Sequence, residues 1–98
     1  MDAMSVKEWR AFVKKVKMAM PIDTPVYVRR YPAKKLNGIT HFDGRCFRIR
    51  VDSKGDRASQ CDTLLHEYTH VVAINDAHEH KGNWGELYAA LYTACESQ

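Results

Sequence analysis

Apolar residues recur along this chain at intervals of three and four in some stretches and at intervals of two in others, and each change of interval marks a new element. In SVKEWRAFVKKVKMAM, residues 5–20, Val6, Trp9, Val13, Val16 and Met20 form one stripe with lysines opposite, which predicts an amphipathic helix. Ser5 is suited to its N-cap and Pro21 to its stop. TPVYVRRY and RCFRIRV are rich in β-branched and aromatic residues, and the second sets Cys46 or Phe47, Ile49 and Val51 against Arg48 and Arg50, as strands do. The turn dipeptides Asn37-Gly38 and Asp43-Gly44 bound a short strand, Ile39 to Phe42, expected to pair through a tight hairpin with Arg45 to Asp52. The expected sheet is three-stranded and antiparallel. A second helix is expected from near Ser59, with Asp62 three residues on as a weak capping box, to about Asn75. A third, from Asn83 to about Cys95, places Trp84, Leu87, Tyr88, Leu91 and Tyr92 on one side. The order helix, three strands, helix, helix predicts an α+β domain.

The length of 98 residues, 45% of them hydrophobic and 28% charged, is suited to one modest core and one domain, residues 1–98. No apolar run approaches the roughly 18 residues of a membrane span, and lysines interrupt the first helical stretch, so a cytosolic protein is expected. Cys46, Cys61 and Cys95 are odd in number and widely spaced, which predicts reduced, partly buried thiols. The net charge of +3 conceals an asymmetry, since residues 1–57 hold 14 Lys/Arg against 6 Asp/Glu while residues 58–98 hold 1 against 6. No interleaved aromatic pattern accompanies the basic residues. Lys14, Lys15 and Lys17 fall on the first helix and Arg48 and Arg50 on a strand, and nothing in the sequence joins the two groups into one surface. The basic half reads as a solvated face, with nucleic-acid binding weak and non-specific at most.

The chemistry concentrates in TLLHEYTHVVAINDAHEHKGNWGEL. His66 and His70 are four residues apart, so on a helix both imidazoles stand on one face and can reach one metal ion. Glu67 is displaced by about 100° around the helix, outside the ligand set but within reach of water at the metal, where a general base is needed. The apolar flanks Leu64, Leu65, Val71 and Val72 argue for a buried helix, on which charged groups are costly unless engaged. A third ligand must come from downstream, where Asp76, His78, Glu79, His80 and Glu86 lie. Asp76 has the spacing of one class of such enzymes, but Ala73 stands where those enzymes need a glycine to turn the helix. Glu86 is 16 residues past His70, close for a glutamate ligand on a following helix. His80, just before Gly82 and the third helix, is the favoured candidate, with His78 next.

DTLLHEYTHVV followed by HKGNWGELYAALY resembles the SprT-like (Spartan-type) zinc metallopeptidases and the short phage-encoded proteins similar to them. In those proteins a His-Glu-x-x-His helix is followed by His-Gly-Pro-acidic-aromatic at the start of another helix. His80 aligns with that histidine and Trp84 with the aromatic, while Lys81-Gly82-Asn83 stands where Gly-Pro-acidic is usual. GRCFRIRVDS resembles the strand before the active-site helix, so the likeness covers about residues 39–92. It implies a minimal zincin-like fold, Zn²⁺ held by His66, His70 and His80, Glu67 as catalytic acid/base, and a protein or peptide substrate. For a phage-encoded member the site of action would be the host cytoplasm. The zinc ribbon and DNA-binding additions of larger relatives are missing. Three neutral imidazoles would leave zinc its full charge and an open position for activating water. Tyr88, Tyr92 and His78 are candidates to stabilise the oxyanion, although tyrosines on an apolar stripe are commonly core residues. Two rival readings are a nucleic-acid- or protein-binding module with a structural or vestigial zinc, and a zinc amidase acting on non-peptide substrates.

Overall fold

The computed structural model describes residues 4–32, 37–75 and 84–96. Helix α1 spans Val6–Ala19 and begins in a complete capping box. The Ser5 hydroxyl accepts from the Glu8 N–H at 3.0 Å, and the Ser5 N–H donates to the Glu8 carboxylate at 3.0 Å. Met20 caps the other end out of the helical region, at φ −138° and ψ 80°, as a residue preceding proline must leave it, and its N–H donates to the Val16 carbonyl. The stripe that reaches the core is Trp9, Phe12 and Val16. Val13 and Met20 only flank it, and Val6 is 58% exposed, so the buried face is rotated from the expected one toward Phe12. The larger ring takes the deeper position.

Strands β1 (Val26–Tyr31), β2 (Gly38–Phe42) and β3 (Phe47–Asp52) form one sheet in the order β1-β3-β2. The expected β2–β3 hairpin is present and antiparallel, but β1 pairs with β3 in parallel, so the sheet is mixed rather than antiparallel. The reason lies in the strands' composition. Phe47, Ile49 and Val51 are all nearly inaccessible and fill the central position, whereas Gly38–Phe42 contains Thr40 and His41 and suits an edge. Residues 32–46 supply the long crossover that a parallel pair requires. The Phe47 N–H donates to the Pro25 carbonyl and the Ser53 N–H to the Tyr31 carbonyl, extending that ladder at both ends.

Four residues, Asp43–Cys46, close the hairpin, with Gly44 at φ +93°. One carboxylate oxygen of Asp43 accepts the N–H groups of Arg45 and Cys46, at 2.9 and 3.0 Å. The other lies 3.7 Å from Arg48.

Helix α2, Arg57–Asn75, starts two residues before the expected Ser59, because Asp56 takes the cap by accepting the Ser59 N–H at 2.8 Å. Helix α3 spans Trp84–Glu96 and buries Leu87, Leu91 and Cys95. All three helices lie on one face of the sheet, where Val26, Phe47, Ile49 and Val51 meet Trp9, Val16, Leu64, Leu65, Tyr68 and Leu91 in one core. Cys61 and Cys95 are buried in that core and Cys46 in the hairpin turn, and none of the three is in a disulfide, in keeping with the expected thiols. Among the described residues no helix is long and apolar enough to cross a membrane.

Two polar ties brace this core. Gln60, 1% exposed, donates to the Ser53 and Gly55 carbonyls and accepts from Arg30, whose guanidinium also reaches the Met4 carbonyl and lies over Trp9. Tyr68 donates to the Met20 carbonyl at 2.7 Å, and burial pushes its hydroxyl up to about 12.

The hairpin turn generates a pH prediction. The two backbone N–H donors hold the Asp43 carboxyl down to about 2, below its ordinary 3.8. A depressed carboxyl stabilises the fold above its unfolded value and loses that contribution as pH falls through the folded one. Asp43→Ala is therefore expected to be less stable than the parent at neutral pH, with the gap closing between about pH 4 and pH 2 in chemical denaturation.

Candidate metal centre

His66 and His70 lie on successive turns in the middle of α2, with Leu65, Thr69 and Val72 anchoring the opposite side in the core. His66 is exposed and His70 half-buried, and their Nε2 atoms face each other 3.2 Å apart. Two nitrogens bound to one tetrahedral zinc at 2.0–2.1 Å stand about 3.4 Å apart, so the pair already has the bite of a chelate. The rings meet edge to face, at 82°. Neutral imidazoles in this pose can share a proton with each other or present both lone pairs to a cation.

Glu67 is half-buried and turned toward β2. The Thr40 hydroxyl donates to its Oε1 at 2.6 Å and stands 3.4 Å from its backbone carbonyl. One oxygen of the carboxylate is thereby fixed by the sheet, and Oε2 is left as an acceptor. This contact needs α2 and β2 to lie unusually close, and Gly38 makes that possible. A Cβ there would meet the Thr63 methyl at 2.5 Å, the Arg50 carbonyl at 3.2 Å and the Glu67 side chain at 3.3 Å. The Asn37-Gly38 pair was expected to supply a turn, but Gly38 is already the first residue of β2, and its use here is the absence of a side chain.

A cleft of about 240 Å³ runs between these elements, lined by Asn37, Gly38, Asp62, Thr63, His66 and Glu67. Along one side lies β2, an edge strand whose outer N–H and C=O groups have no strand partner among the described residues. Across the histidines, α3 contributes a ladder of rings. Trp84 packs 4.8 Å from His66 and 5.4 Å from His70, Tyr88 stacks on Trp84 at 5.1 Å, and Tyr92 follows at 6.1 Å. The expected single stripe on α3 is thus two, an aliphatic row facing the core and an aromatic row facing the histidines. The Tyr88 hydroxyl donates to Asp62, which brings it to the cleft, whereas Tyr92 is 47% exposed.

The structure therefore brings together His66, Glu67 and His70 from the predicted set. His80, His78, Asp76 and Glu79 lie outside the described residues, and Glu86 is exposed in the first turn of α3. Among the described residues no three His, Cys, Asp or Glu side chains form a metal-holding group. The two imidazoles fit zinc in donor type and spacing. Thr40, Gly38 and Asp62 were not anticipated as site residues; the local signal for the first two is that a glycine and a threonine alternate on one face of β2, and Asp62 carries none.

No protein-family model matches the chain, and no curated protein or solved structure matches it. The geometry alone must carry the functional reading.

Because Gly38 sets the distance between β2 and α2, Gly38→Ala is expected to destabilise the fold by about 1–3 kcal/mol through overpacking. Urea denaturation checks the loss. A threonine side chain shortened at position 63 (Thr63→Ser), which removes the nearest methyl, is expected to restore much of it in the double variant.

Proposed function

We propose that this chain is a zinc-dependent peptidase of the SprT-like kind, in which His66, His70 and His80 hold the metal and Glu67 is the general base. The observation that carries the reading is the convergence of His66 Nε2 and His70 Nε2 at 3.2 Å beside a carboxylate oriented by Thr40. A pair of surface histidines on an ordinary helix has no need of the third element. Here the sheet holds the glutamate, the helix aims the imidazoles, and a cleft opens between them.

When bound, zinc supplies a Lewis acid that polarises the scissile carbonyl and lowers the pKa of water to about 7. The protein supplies the rest. Glu67 takes the proton of the attacking water on Oε2 while Thr40 keeps Oε1 occupied, and returns it to the leaving amine. The free edge of β2 offers main-chain hydrogen bonds to an extended peptide, which would lie along the cleft past Glu67. Of the two tyrosines only Tyr88 bonds to a cleft residue, and it would meet an oxyanion by turning its one proton away from Asp62. Trp84 packs against one side of the histidine pair and limits how far either ring can turn.

Glu67→Gln is the direct test. It is expected to reduce kcat/KM in a broad peptide and protein substrate screen by about 10²- to 10⁴-fold while zinc content by metal analysis stays at the parental level. Equal activity in the variant would remove Glu67 from the chemistry. A module with a structural zinc would retain metal and show no hydrolysis in parent or variant.

Zinc binding is also expected to stabilise the native state, so chelation should lower Tm. His80→Ala should weaken zinc affinity by far more than the about 10- to 100-fold expected where a residue acts only through a ligand, and His78→Ala by no more than that. Competition with a metal indicator dye ranks the two.

A further inference from the structure

We infer that the outer face of the sheet, opposite the helices and separate from the metal centre, is a binding surface for single-stranded nucleic acid. Three rows of side chains cross it. Strand register places Tyr27, Arg48 and His41 in one row, Arg29, Arg50 and Ile39 in the next, and Tyr31 beside Asp52 in the third. All of these except Asp52 are exposed, Tyr27 to 53% and Tyr31 to 37%.

Three features of this face point to its ligand. The first is the side-by-side placement of Arg29 and Arg50 on neighbouring strands, a like-charge pair that destabilises a sheet and that an anion between them would relieve. The second is sign. The acidic groups near the face are Asp43, 3.7 Å from Arg48 at one end, and Asp52 at the other, so the middle row is basic throughout its charged positions. The third is the interleaving of rings and guanidinium groups. Arg48 lies over Tyr27 at 5.5 Å and Arg50 over Tyr31 at 5.7 Å, and Tyr27, Arg29, Arg48 and Arg50 together line a shallow depression of about 140 Å³. Flat π-faces and guanidinium planes exposed on a sheet are what unstacked bases lie on, while the arginines meet the phosphates.

That combination selects the ligand class. In a duplex the bases are already stacked and the tyrosine rings would gain nothing from them. An acidic protein surface would satisfy the arginines and leave the rings idle. Tyr27 and Tyr31 are four residues apart on one strand, about 13 Å, which suits bases two positions apart on an extended single strand, with the one between them over Arg29 and Arg50. Recognition is through stacking and charge, so it is tolerant of base sequence, with Kd of about 10⁻⁶ to 10⁻⁴ M at physiological salt.

The test is fluorescence anisotropy of the full chain with a labelled oligothymidylate of about 10 nucleotides and with a duplex of equal length. The single strand is expected to bind more tightly than the duplex, with a log–log salt slope near −2 from three arginines at about −0.7 each. Replacing Arg29 and Arg50 together by Gln should cut affinity at least tenfold at low salt and flatten the slope by about 1.4. Tyr27→Ala or Tyr31→Ala should each cost about 5- to 100-fold, and Lys14→Gln with Lys15→Gln on α1 should change little. A strand substituted with bromodeoxyuridine should photocrosslink to Tyr27 or Tyr31 in the unsubstituted protein, which keeps the test independent of any variant's folding. Equal affinity for duplex, crosslinks confined to α1, loss of binding only in the Lys14/Lys15 variant, or displacement of the oligonucleotide by polyglutamate as readily as by unlabelled oligothymidylate would each overturn the assignment.

Discussion

The closeness of β2 to α2 is the constraint on which the candidate site depends. An edge strand and a helix normally keep a side chain's distance between them. Here Gly38 removes the intervening Cβ, Thr63 and Glu67 close over it, and Thr40, two residues along on the same face, comes within 2.6 Å of the Glu67 carboxylate. A helix displaced outward by one methyl group would lose that hydrogen bond and widen the cleft. The core supports the approach from below, since Ile49 and Val51 on the central strand and Leu64 and Leu65 on α2 are all nearly inaccessible. The histidine-bearing face of α2 is polar and open to solvent at His66 because its opposite face is committed to the core.

Much of this arrangement was legible from local patterns. The spacing of His66, Glu67 and His70 needs only that residues 57–75 be helical, and the density of apolar residues around them guarantees it. The N-cap at Ser5, the turn at Asp43-Gly44 and the alternation of Phe47–Val51 are likewise short-range signals, and each appears where the sequence puts it, whereas the Glu8 half of the cap at Ser5 was not anticipated. What the sequence left hidden depends on long-range pairing. Alternation shows that Gly38–Phe42 and Phe47–Asp52 are strands, but not that β1 would add on the far side of β3. The parallel pairing follows from β3 having the most apolar inward face, a comparison among strands rather than a property of one. Rotation of α1 toward Phe12 has a similar origin, because two stripes of nearly equal quality share that helix and tertiary packing selects the one with the larger ring.

The same distinction explains the outer face of the sheet. Along the chain the short run Tyr27, Arg29, Arg30, Tyr31 mixes aromatic and basic residues, but Arg48 and Arg50 stand some twenty residues away. Register alone brings them into alternate positions. The two faces of this small sheet thus divide the chemistry. The inner face holds the helix that carries the histidines and the glutamate, and the outer face carries arginine and tyrosine with no helix over it among the described residues. A chain with opposite charge in its two halves folds so that the acidic cleft residues Asp62 and Glu67 lie on the helical side and Arg29, Arg48 and Arg50 on the other.

The central claim is that the imidazoles of α2 are a zinc donor set. X-ray absorption spectroscopy of the zinc-loaded protein tests it most directly, because it reads the donor atoms themselves. The account predicts a four-coordinate shell of nitrogen and oxygen at about 2.0–2.1 Å, with imidazole outer-shell scattering that diminishes in His66→Ala and His70→Ala. A sulfur shell at about 2.3 Å, which would assign the metal to the cysteines, or an imidazole signal indifferent to both substitutions, would contradict it.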